Sequence, residues 1–354
     1  MTAPALRRPH RDLALFTAAL FATAGLDAAK AEAMGRLLVL TDMMGRRTHG
    51  LAQVGAYLDQ VERGLMEGAG EPETLRDTGA TVVWDGGYRP GLWLVERALQ
   101  LGFERVARHG TVTFAIRRSH HIGCLATLAK QATDRGCVAI LASSGPHTKI
   151  VAPFGGRAPL FSPNPFAIGF PATEFPVLVD ISASITTVSM TREKAAAGVL
   201  FEHPWLLDHE GLPTRDPAVA ERAERRGSLM LLGGTEAGHK GFGLALMVEA
   251  LTGGLAGYGR REAPTRWGAN VFVQLLDPEA FAGREAFLGQ MDFLAGEVHA
   301  NPPVDPEAPV RLPGERAARL IAEAEAEGVP VPAALVEALR GHAARLGVEA
   351  AVLG

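Results

Sequence analysis

A chain of 354 residues with 47% hydrophobic side chains has the material for a large buried core, and its length suggests about two domains. With 21% charged residues and a formal net charge of -4, it lacks both the composition of a disordered chain and the clustered basic excess of a nucleic-acid binder; its arginines alternate with glutamates, as in ERAERR at 221–226, which reads as a solvated helix face. Two cysteines, Cys124 and Cys137, exclude a disulfide framework and suit a reducing compartment, and no apolar run approaches the roughly 20 residues needed to cross a bilayer. The first residues resemble a secretory signal only briefly, because His10, Arg11 and Asp12 interrupt them and no small-residue cleavage site follows. Cytoplasmic residence is therefore expected.

The first quarter reads as helical. Leu13 to Thr23 is apolar on one face, and Asp27 is placed to cap a helix running through AAKAEAMGRLLVLTDMMG. A Gly/Arg/His turn from Gly45 to Gly50 ends it, and LAQVGAYLDQVERG forms another helix that stops at Gly64, followed by a loop from Gly68 to Pro72. From about residue 80 strands and helices alternate: a strand in ATVVWDGG, a helix from Leu92 to His109, a strand in TVTFAIRR, a helix from Gly123 to Arg135, and a strand in CVAILASS. The passage 153–171 is rich in proline and glycine and too broken for a helix, and VLVDIS at 177–182 reads as a buried strand. Leu229 to Leu232 fits another strand, running into GGTEAGHKGFG and then an apolar helix, LALMVEALTGGLAG. A strand from Asn270 to Leu276, a helix from Glu279 to His299, the linker NPPVDPEAP and two last helices complete a mixed α/β pattern without internal repeats.

Four stretches have the residue types for chemistry. Thr48-His49-Gly50 sets a hydroxyl beside an imidazole in a turn, and an imidazole with an ordinary pKa of about 6.5 is suited to exchanging protons at neutral pH; a helix C-cap role is the plainer alternative. Ser119-His120-His121-Ile122-Gly123 joins a strand to a helix whose N-terminus would favour an anion such as a phosphate. Zinc is the weaker reading, because adjacent histidines diverge and no third ligand has the right spacing. Gly238-His239-Lys240-Gly241-Phe242-Gly243 invites comparison with a dinucleotide fingerprint, but taking Gly241 and Gly243 as the first pair puts Leu246 where the third glycine belongs. The P-loop order fails too, leaving a lysine and flexible backbone at a helix start, suited to phosphate or ribose or simply to tight packing. Asp180-Ile181-Ser182-Ala183-Ser184 ends a strand with a carboxylate able to orient a histidine, or with an ordinary N-cap.

Taken together and in this order, these stretches resemble the type 2 malate/L-lactate dehydrogenase family, which also holds ureidoglycolate, sulfolactate and diketogulonate dehydrogenases and a cyclic imino-acid reductase. The family pattern of SHG, S-x-HFG, P-x-GG with GTNP, DMATS, GxKGYGLAL and a late PGE is matched by THG (48–50), SHHIG (119–123), PFGG (153–156), SPNPFAIGFP (162–171), DISAS (180–184), GHKGFGLALMVE (238–249) and RLPGE (311–315). The resemblance implies a homodimeric α/β protein of the α+β type. A non-Rossmann, largely antiparallel nicotinamide-binding sheet domain, at residues 76–249, would be joined by a mostly helical domain built from 1–75 with 250–354. It implies NAD or NADP as cofactor, a small 2-oxo or 2-hydroxy acid as substrate, and no metal. His49 would give the proton to the substrate carbonyl, with Thr48 and Asp180 as its relay or orienting partners. His121, Ile122 and Gly123, Ser182 and Ser184, His239, Lys240 and Gly241, and Pro313, Gly314 and Glu315 would lie along the cofactor.

Three departures bear on the substrate. An arginine four residues after the histidine of SHG is replaced by Gln53, the threonine of GTNP by Pro163, and the lysine after DMATS by Met190 or, displaced, Lys194. Substrate contacts are then expected from Gln53, Arg47 and Asn164, with Arg46 as another source of positive charge. Arg260, Arg261 and Arg266 would meet the 2′-phosphate of NADP or form a solvated loop. A reductase of a cyclic imino acid or another 2-oxo analogue on the same fold, a catalytically silent dinucleotide-binding protein, and a metal-dependent hydrolase using His120 and His121 are the competing readings.

Overall fold

The computed structural model describes residues 6–354. Its first layer is helical and takes segments from both ends of the described chain. Strand β1 (Leu6–Arg8) leads into α1 (His10–Ala24), which buries Leu13, Phe16, Leu20 and Phe21 at the three- and four-residue spacing of one helix face. Gly25, at φ 118°, ends α1 in a backbone region where only glycine is unstrained. Helix α2 (Ala28–Met43) is buried on nearly all sides, since α1 covers one flank and later helices the others. Asp27 occupies the position before α2 but does not cap it, contrary to expectation. Its carboxylate instead pairs with the buried Lys30, 2.9 Å away, and accepts the Gly70 amide at 3.2 Å. A short 3₁₀ turn, Arg47–His49, follows, then a second, Leu51–Gln53, so that α3 (Val54–Glu62) begins three residues later than the sequence pattern suggests.

The second layer is a seven-stranded sheet. It comprises β2 (Glu73–Asp77), β3 (Thr81–Asp85), β4 (Thr111–Ser119), β5 (Val138–Ser144), β6 (Pro165–Phe170) and β7 (Val177–Ser182), with one strand from late in the chain, β11 (Ala269–Leu276). The order is β2-β3-β4-β11-β5-β6-β7, and only the β3–β4 pair is parallel. That pair is bridged by α4 (Gly91–His109), as a parallel connection requires, and α5 (Leu125–Thr133) packs on β5, β6 and β7. The fold is thus the mixed, mostly antiparallel α/β arrangement expected, with no doubly wound parallel sheet. Strand β11 belongs to the 250–354 segment, yet it runs antiparallel between β4 and β5, paired with β5 from Asn270 to Leu276 and with β4 across a bulge between Ala269 and Val271, so the sheet's centre is supplied from beyond residue 249. Strands β2 and β6 escape the sequence reading because β2 is exposed along its length and β6 starts at a proline.

Between β7 and β11 lies a small lobe. Helix α6 (Val188–Ala197) starts where Thr187 accepts the Met190 amide, and strands β8 (Leu206–Leu207), β9 (Pro213–Thr214) and β10 (Ser228–Leu229) form a three-stranded sheet around a satellite core that includes Val151, Phe161, Phe201 and Leu229. Helix α7 (Gly234–Glu249) begins ten residues before Leu244, the expected start, with a kink at Ala237, and passes into a π-helical turn at Ala250–Gly254. Helix α8 (Arg284–Ala300) starts later than the expected Glu279. It is followed by α9 (Glu315–Glu327), β12 (Val329–Val331) and α10 (Ala333–Leu346). The two ends close on each other: β1 pairs antiparallel with β12, α10 packs on α1 and α3, and α9 packs on α2.

The α1–α2 crossing depends on Gly35. A Cβ there would lie 2.3 Å from the Ala14 carbonyl oxygen and 3.2 Å from the Ala18 Cβ, so any side chain forces the helices apart. We expect Gly35→Ala to lower unfolding free energy by about 1–3 kcal/mol in chemical denaturation, the usual cost of overpacking. An unchanged midpoint would show that the crossing yields without penalty.

Candidate active site

The turn after α2 is held in place from below. Asp42, in the last turn of α2 and almost fully buried, accepts the Leu51 amide on Oδ2 at 2.7 Å. Gly50 lies so close to this carboxylate that a Cβ would come within 2.6 Å of it, which explains why glycine follows His49. From the other side, Gln53 Nε2 donates to the Thr48 carbonyl at 2.6 Å. The result presents Thr48 and His49 as a rigid pair, with Thr48 Oγ1 2.9 Å from His49 Nδ1, leaving Nε2 as the nitrogen free to meet a ligand.

The SHHIG loop meets this turn directly. A Cβ on Gly123, which has φ +62°, would lie 3.7 Å from the His49 carbonyl oxygen, and the rings of His49 and His121 stack with centroids 6.2 Å apart at 25°. His121 Nδ1 lies 2.6 Å from the hydroxyl of Tyr57, a residue of α3. His120 points the other way: it is fully buried, edge-on to Trp267 at 4.7 Å, and neither ring nitrogen has a partner. Burial pushes both imidazoles down to about 3, so both are neutral at physiological pH.

Asp180, on β7, accepts the Ala126 amide at 2.9 Å in the first turn of α5, and Cys124 Sγ is 3.4 Å from the same oxygen. Its charge reaches His49 through space. Burial holds the His49 imidazole below its ordinary range, the Asp180 carboxylate opposes that, and the nearby Arg46 guanidinium reinforces it. The Cys124 thiol, also buried, is pushed up to about 12 and stays protonated.

A cavity of about 500 Å³ opens in front of this group, lined by Arg46, Arg47, Thr48, His49, Met190 and Arg316 among others. Arg316 comes from α9, so one wall is contributed by the far end of the chain.

The remaining stretches cluster around β7. Leu232 N donates to the Ala183 carbonyl at 2.7 Å, and a Cβ on Gly241 would strike both the Leu232 backbone and the Ala183 oxygen, so the helix carrying His239 and Lys240 is pressed against the 182–184 loop. The kink at Ala237 makes Gly238–Gly241 the first turn of the regular part of α7, with His239 and Lys240 both exposed there. At the other end of β7, Pro313 accepts the Leu178 amide at 2.9 Å, and Gly314 at φ +112° packs on Pro176.

Along its length the chain matches the malate/L-lactate dehydrogenase family, over residues 9–340. It belongs to that family. Hydroxycarboxylate dehydrogenase B of Escherichia coli strain K12 is 30% identical over 340 residues, covering 94% of this chain and 92% of that protein. The (2R)-3-sulfolactate dehydrogenase (NADP(+)) of Chromohalobacter salexigens is 30% identical over 351 residues, with 94% and 98% covered. The crystal structure of malate dehydrogenase from Entamoeba histolytica superposes with a TM-score of 0.91 at 20% identity, covering 98% and 99%, and supports the fold. As a member of this malate/L-lactate dehydrogenase family, the chain is an oxidoreductase acting on the CH–OH group of hydroxy acids.

Several residues read from the family pattern are also engaged within the protein. Asn164, expected to touch substrate, is fully buried; its amide accepts from Ser162 Oγ and donates to the Ala245 carbonyl and to Glu249, holding the β6 loop to α7. Ser182 and Ser184 donate their hydroxyls to the carbonyls of Ser184 and Thr186, which leaves them only acceptor capacity for a ligand. Glu315 accepts the Leu312 amide and pairs with His299. Arg260 is committed to Glu249 and to three loop carbonyls, while Arg266 lies over Tyr88 and donates to the Leu65 carbonyl, so neither is free for a phosphate. Of the two positions weighed for the missing lysine, Met190 lines the cavity and Lys194 lies over the Phe201 ring. Asp42, Tyr57 and Arg316 were not singled out by sequence. Their proximity to His49 and His121 comes from tertiary packing, and a motif scan gives no signal for it.

Asp42 yields a stability prediction. Burial raises its carboxyl from 3.8 to about 7, against the Leu51 amide and the charge of Arg47. The folded form therefore keeps this proton to higher pH than the unfolded chain, and the associated stability is complete below 3.8 and lost as pH rises through about 7. Asp42→Asn preserves the acceptor for Leu51 and removes the titration, so its denaturation midpoint should fall less steeply than wild type between these pH values. Parallel curves for the two proteins would remove Asp42 as the cause.

Proposed function

We propose that this chain is a NAD(P)-dependent dehydrogenase that reduces a small 2-oxo acid, or oxidises the matching 2-hydroxy acid, with the reacting carbon held beside His49. The observation that carries this reading is the arrangement around one imidazole: Nδ1 engaged by Thr48, a carboxylate field from Asp180, and an open cavity with cationic walls. When bound, the nicotinamide supplies or accepts the hydride. His49 Nε2 then gives its proton to the carbonyl oxygen as negative charge develops there, and Asp180 stabilises the imidazolium before transfer. Arg46, Arg47 and Arg316 stand where a substrate carboxylate is attracted, in place of the arginine that Gln53 replaces. Gln53 itself serves the turn, because its amide is spent on the Thr48 carbonyl.

The residues present fit such a cofactor. Lys240 and His239 are exposed in the first regular turn of α7, after its kink at Ala237 and near the left-handed Gly233 and Gly234, a donor set suited to phosphate. We assign Gly241, Ser182, Ser184, His121, Ile122, Gly123 and Pro313 to Glu315 to the same ligand, since all border β7 or the turn it faces. NAD and NADP both fit this donor set; the relative from Chromohalobacter salexigens is a sulfolactate dehydrogenase named for NADP(+).

A homodimer is part of the reading. Leu246, Met247 and Leu255 on and after α7, and Phe293 and Leu294 on α8, are large apolar side chains each at least 40% exposed, and α8 buries none of its residues within the monomer. We propose a helical unit of about residues 6–64 with 315–354 on a sheet unit that includes β11. Cytoplasmic residence accords with two free, buried cysteines, and among the described residues no helix is long and apolar enough to cross a membrane.

Oxidation of NADH or NADPH with a panel of 2-oxo acids tests the reading, and no turnover with any of them would reject it. His49→Ala should retain cofactor binding and lose about 10²-fold or more in turnover. A mutant keeping more than about half of wild-type turnover would remove His49 from proton transfer. Because His49 must be charged to donate, kcat/KM for reduction should fall as pH rises through a value below the ordinary 6.5, and for oxidation should rise over the same range. Asp180→Asn removes the charge that favours imidazolium, so both limbs should move to lower pH; unmoved limbs would mean that Asp180 acts only as the cap of α5.

A further inference from the structure

Three guanidiniums of the cavity wall, Arg46, Arg47 and Arg316, are paired with no carboxylate among the described residues, whereas Arg7 is held by Glu323. Arg46 and Arg47 belong to the turn that carries His49, whose backbone N–H donates to the Arg46 carbonyl at 2.9 Å. Arg316 belongs to a different wall. It lies in the first turn of α9, and Leu320 and Glu323, at the i+4 and i+7 positions, line the cavity from the same helix face. A Cβ on Gly45 would come within 2.7 Å of Leu320 Cδ1, so this face presses on the start of the His49 turn at Leu320. Arg316 stands one helical turn, roughly 6 Å, further along it. The acids of α9 that could neutralise it are taken: Glu315 accepts the Leu312 amide and pairs with His299, and Glu323 pairs with Arg7. Leu320 therefore separates two cationic stations, and Met190, in the first turn of α6, adds apolar surface to the same cavity.

We propose that Arg316 is a specificity-determining residue that receives a second carboxylate, so that the preferred substrate is a 2-oxo acid bearing another carboxylate at the far end of a short carbon chain. The inference rests on the functional reading above and divides the three guanidiniums between two jobs. The carboxylate next to the reacting carbonyl goes to the turn, because that carbonyl must meet His49. One negative charge there leaves the guanidinium of α9 unmatched, and a carbon chain running past Leu320 brings a second charge to it. The departures from the family pattern point the same way. Met190 stands where that pattern has lysine, and Lys194 lies over the Phe201 ring, so α6 offers this cavity no cation and α9 supplies it. A guanidinium meets a carboxylate through two parallel N–H bonds, which a glutamine amide cannot reproduce and an ammonium matches only in charge. Selectivity then sits on α9, one residue beyond the last stretch that carries the family pattern.

Calorimetric titration of the full chain with glutarate and with valerate, which share a chain length and differ by one carboxylate, reads this site without turnover. Wild type should bind glutarate about 10-fold more tightly, the scale of one charge-assisted contact. Arg316→Gln should lose most of that preference, Arg316→Lys should keep part of it, and the Kd for NADH should be unchanged in both. Equal affinity of wild type for the two acids overturns the proposal. So does a preference that survives in Arg316→Gln, or that falls further in Arg47→Gln, because the second carboxylate then lies elsewhere. A loss confined to NADH also overturns it, by assigning Arg316 to the cofactor. Arg316 is exposed, so both variants should fold, and an unfolding midpoint near wild type checks this. In the kinetic arm, the ratio of kcat/KM for 2-oxoglutarate over 2-oxovalerate should be about 10-fold lower in Arg316→Gln than in wild type, and an unchanged ratio removes Arg316 from substrate choice. A protein reducing no 2-oxo acid would end the functional reading, while the titrations alone would still decide whether Arg316 receives a carboxylate.

Discussion

The seating of the 47–50 turn governs most of what this site can do. A single carboxylate, Asp42, lies under it, bonded to the Leu51 amide and pressed against Gly50, and the Gln53 amide ties the turn from the opposite side. Tied on both sides, the turn sets His49 stacked near His121 and in contact with Thr48, within reach of the Asp180 charge but without a direct bond to that acid. Preorganisation of this kind places the orientational cost in the folding of the helical layer rather than in each encounter with a ligand.

Burial sets the electrostatics of the same region. Three imidazoles, a thiol, a phenol and a carboxyl are all shifted towards their neutral forms, and with Arg7 paired to Glu323 the guanidinium groups of Arg46, Arg47 and Arg316 are the main unpaired charges of the cavity wall. Such a site attracts an anionic small molecule, whose charge would favour the protonated form of the His49 imidazole.

The sequence displays the chemistry of this site more clearly than its wiring. Thr48, His49, His121, Asp180 and the GHKG turn stand in recognisable local patterns, and the helices and central strands follow from ordinary periodicity. What periodicity missed has physical causes. Strand β2 is solvent-exposed on both faces, so it has no alternation, and β6 opens on proline inside a loop-like composition. The early start of α7 was hidden by the glycines of GGTEAGHKGFG, which tertiary packing against Leu232 and Ala183 overrides. Asn164 shows the reverse, since a residue read as a substrate contact is buried as an internal brace between loop and helix. Tyr57 and Arg316 reach the site only through long-range contacts, and Asp42 through a helix end that a turn folds back upon.

Pairing of β1 with β12, and of α2 with α9, has a consequence for how the protein is made. The cavity before His49 is walled by Arg7 and by Arg316, Leu320 and Glu323, so its first and last walls are separated by some three hundred residues of translation. During synthesis the emerging chain can fold α1 to α3 and begin its sheet, yet the sheet's central strand and the cavity's far wall are still inside the ribosome or unmade. A nascent chain of this protein therefore cannot close this cavity until α9 has been released.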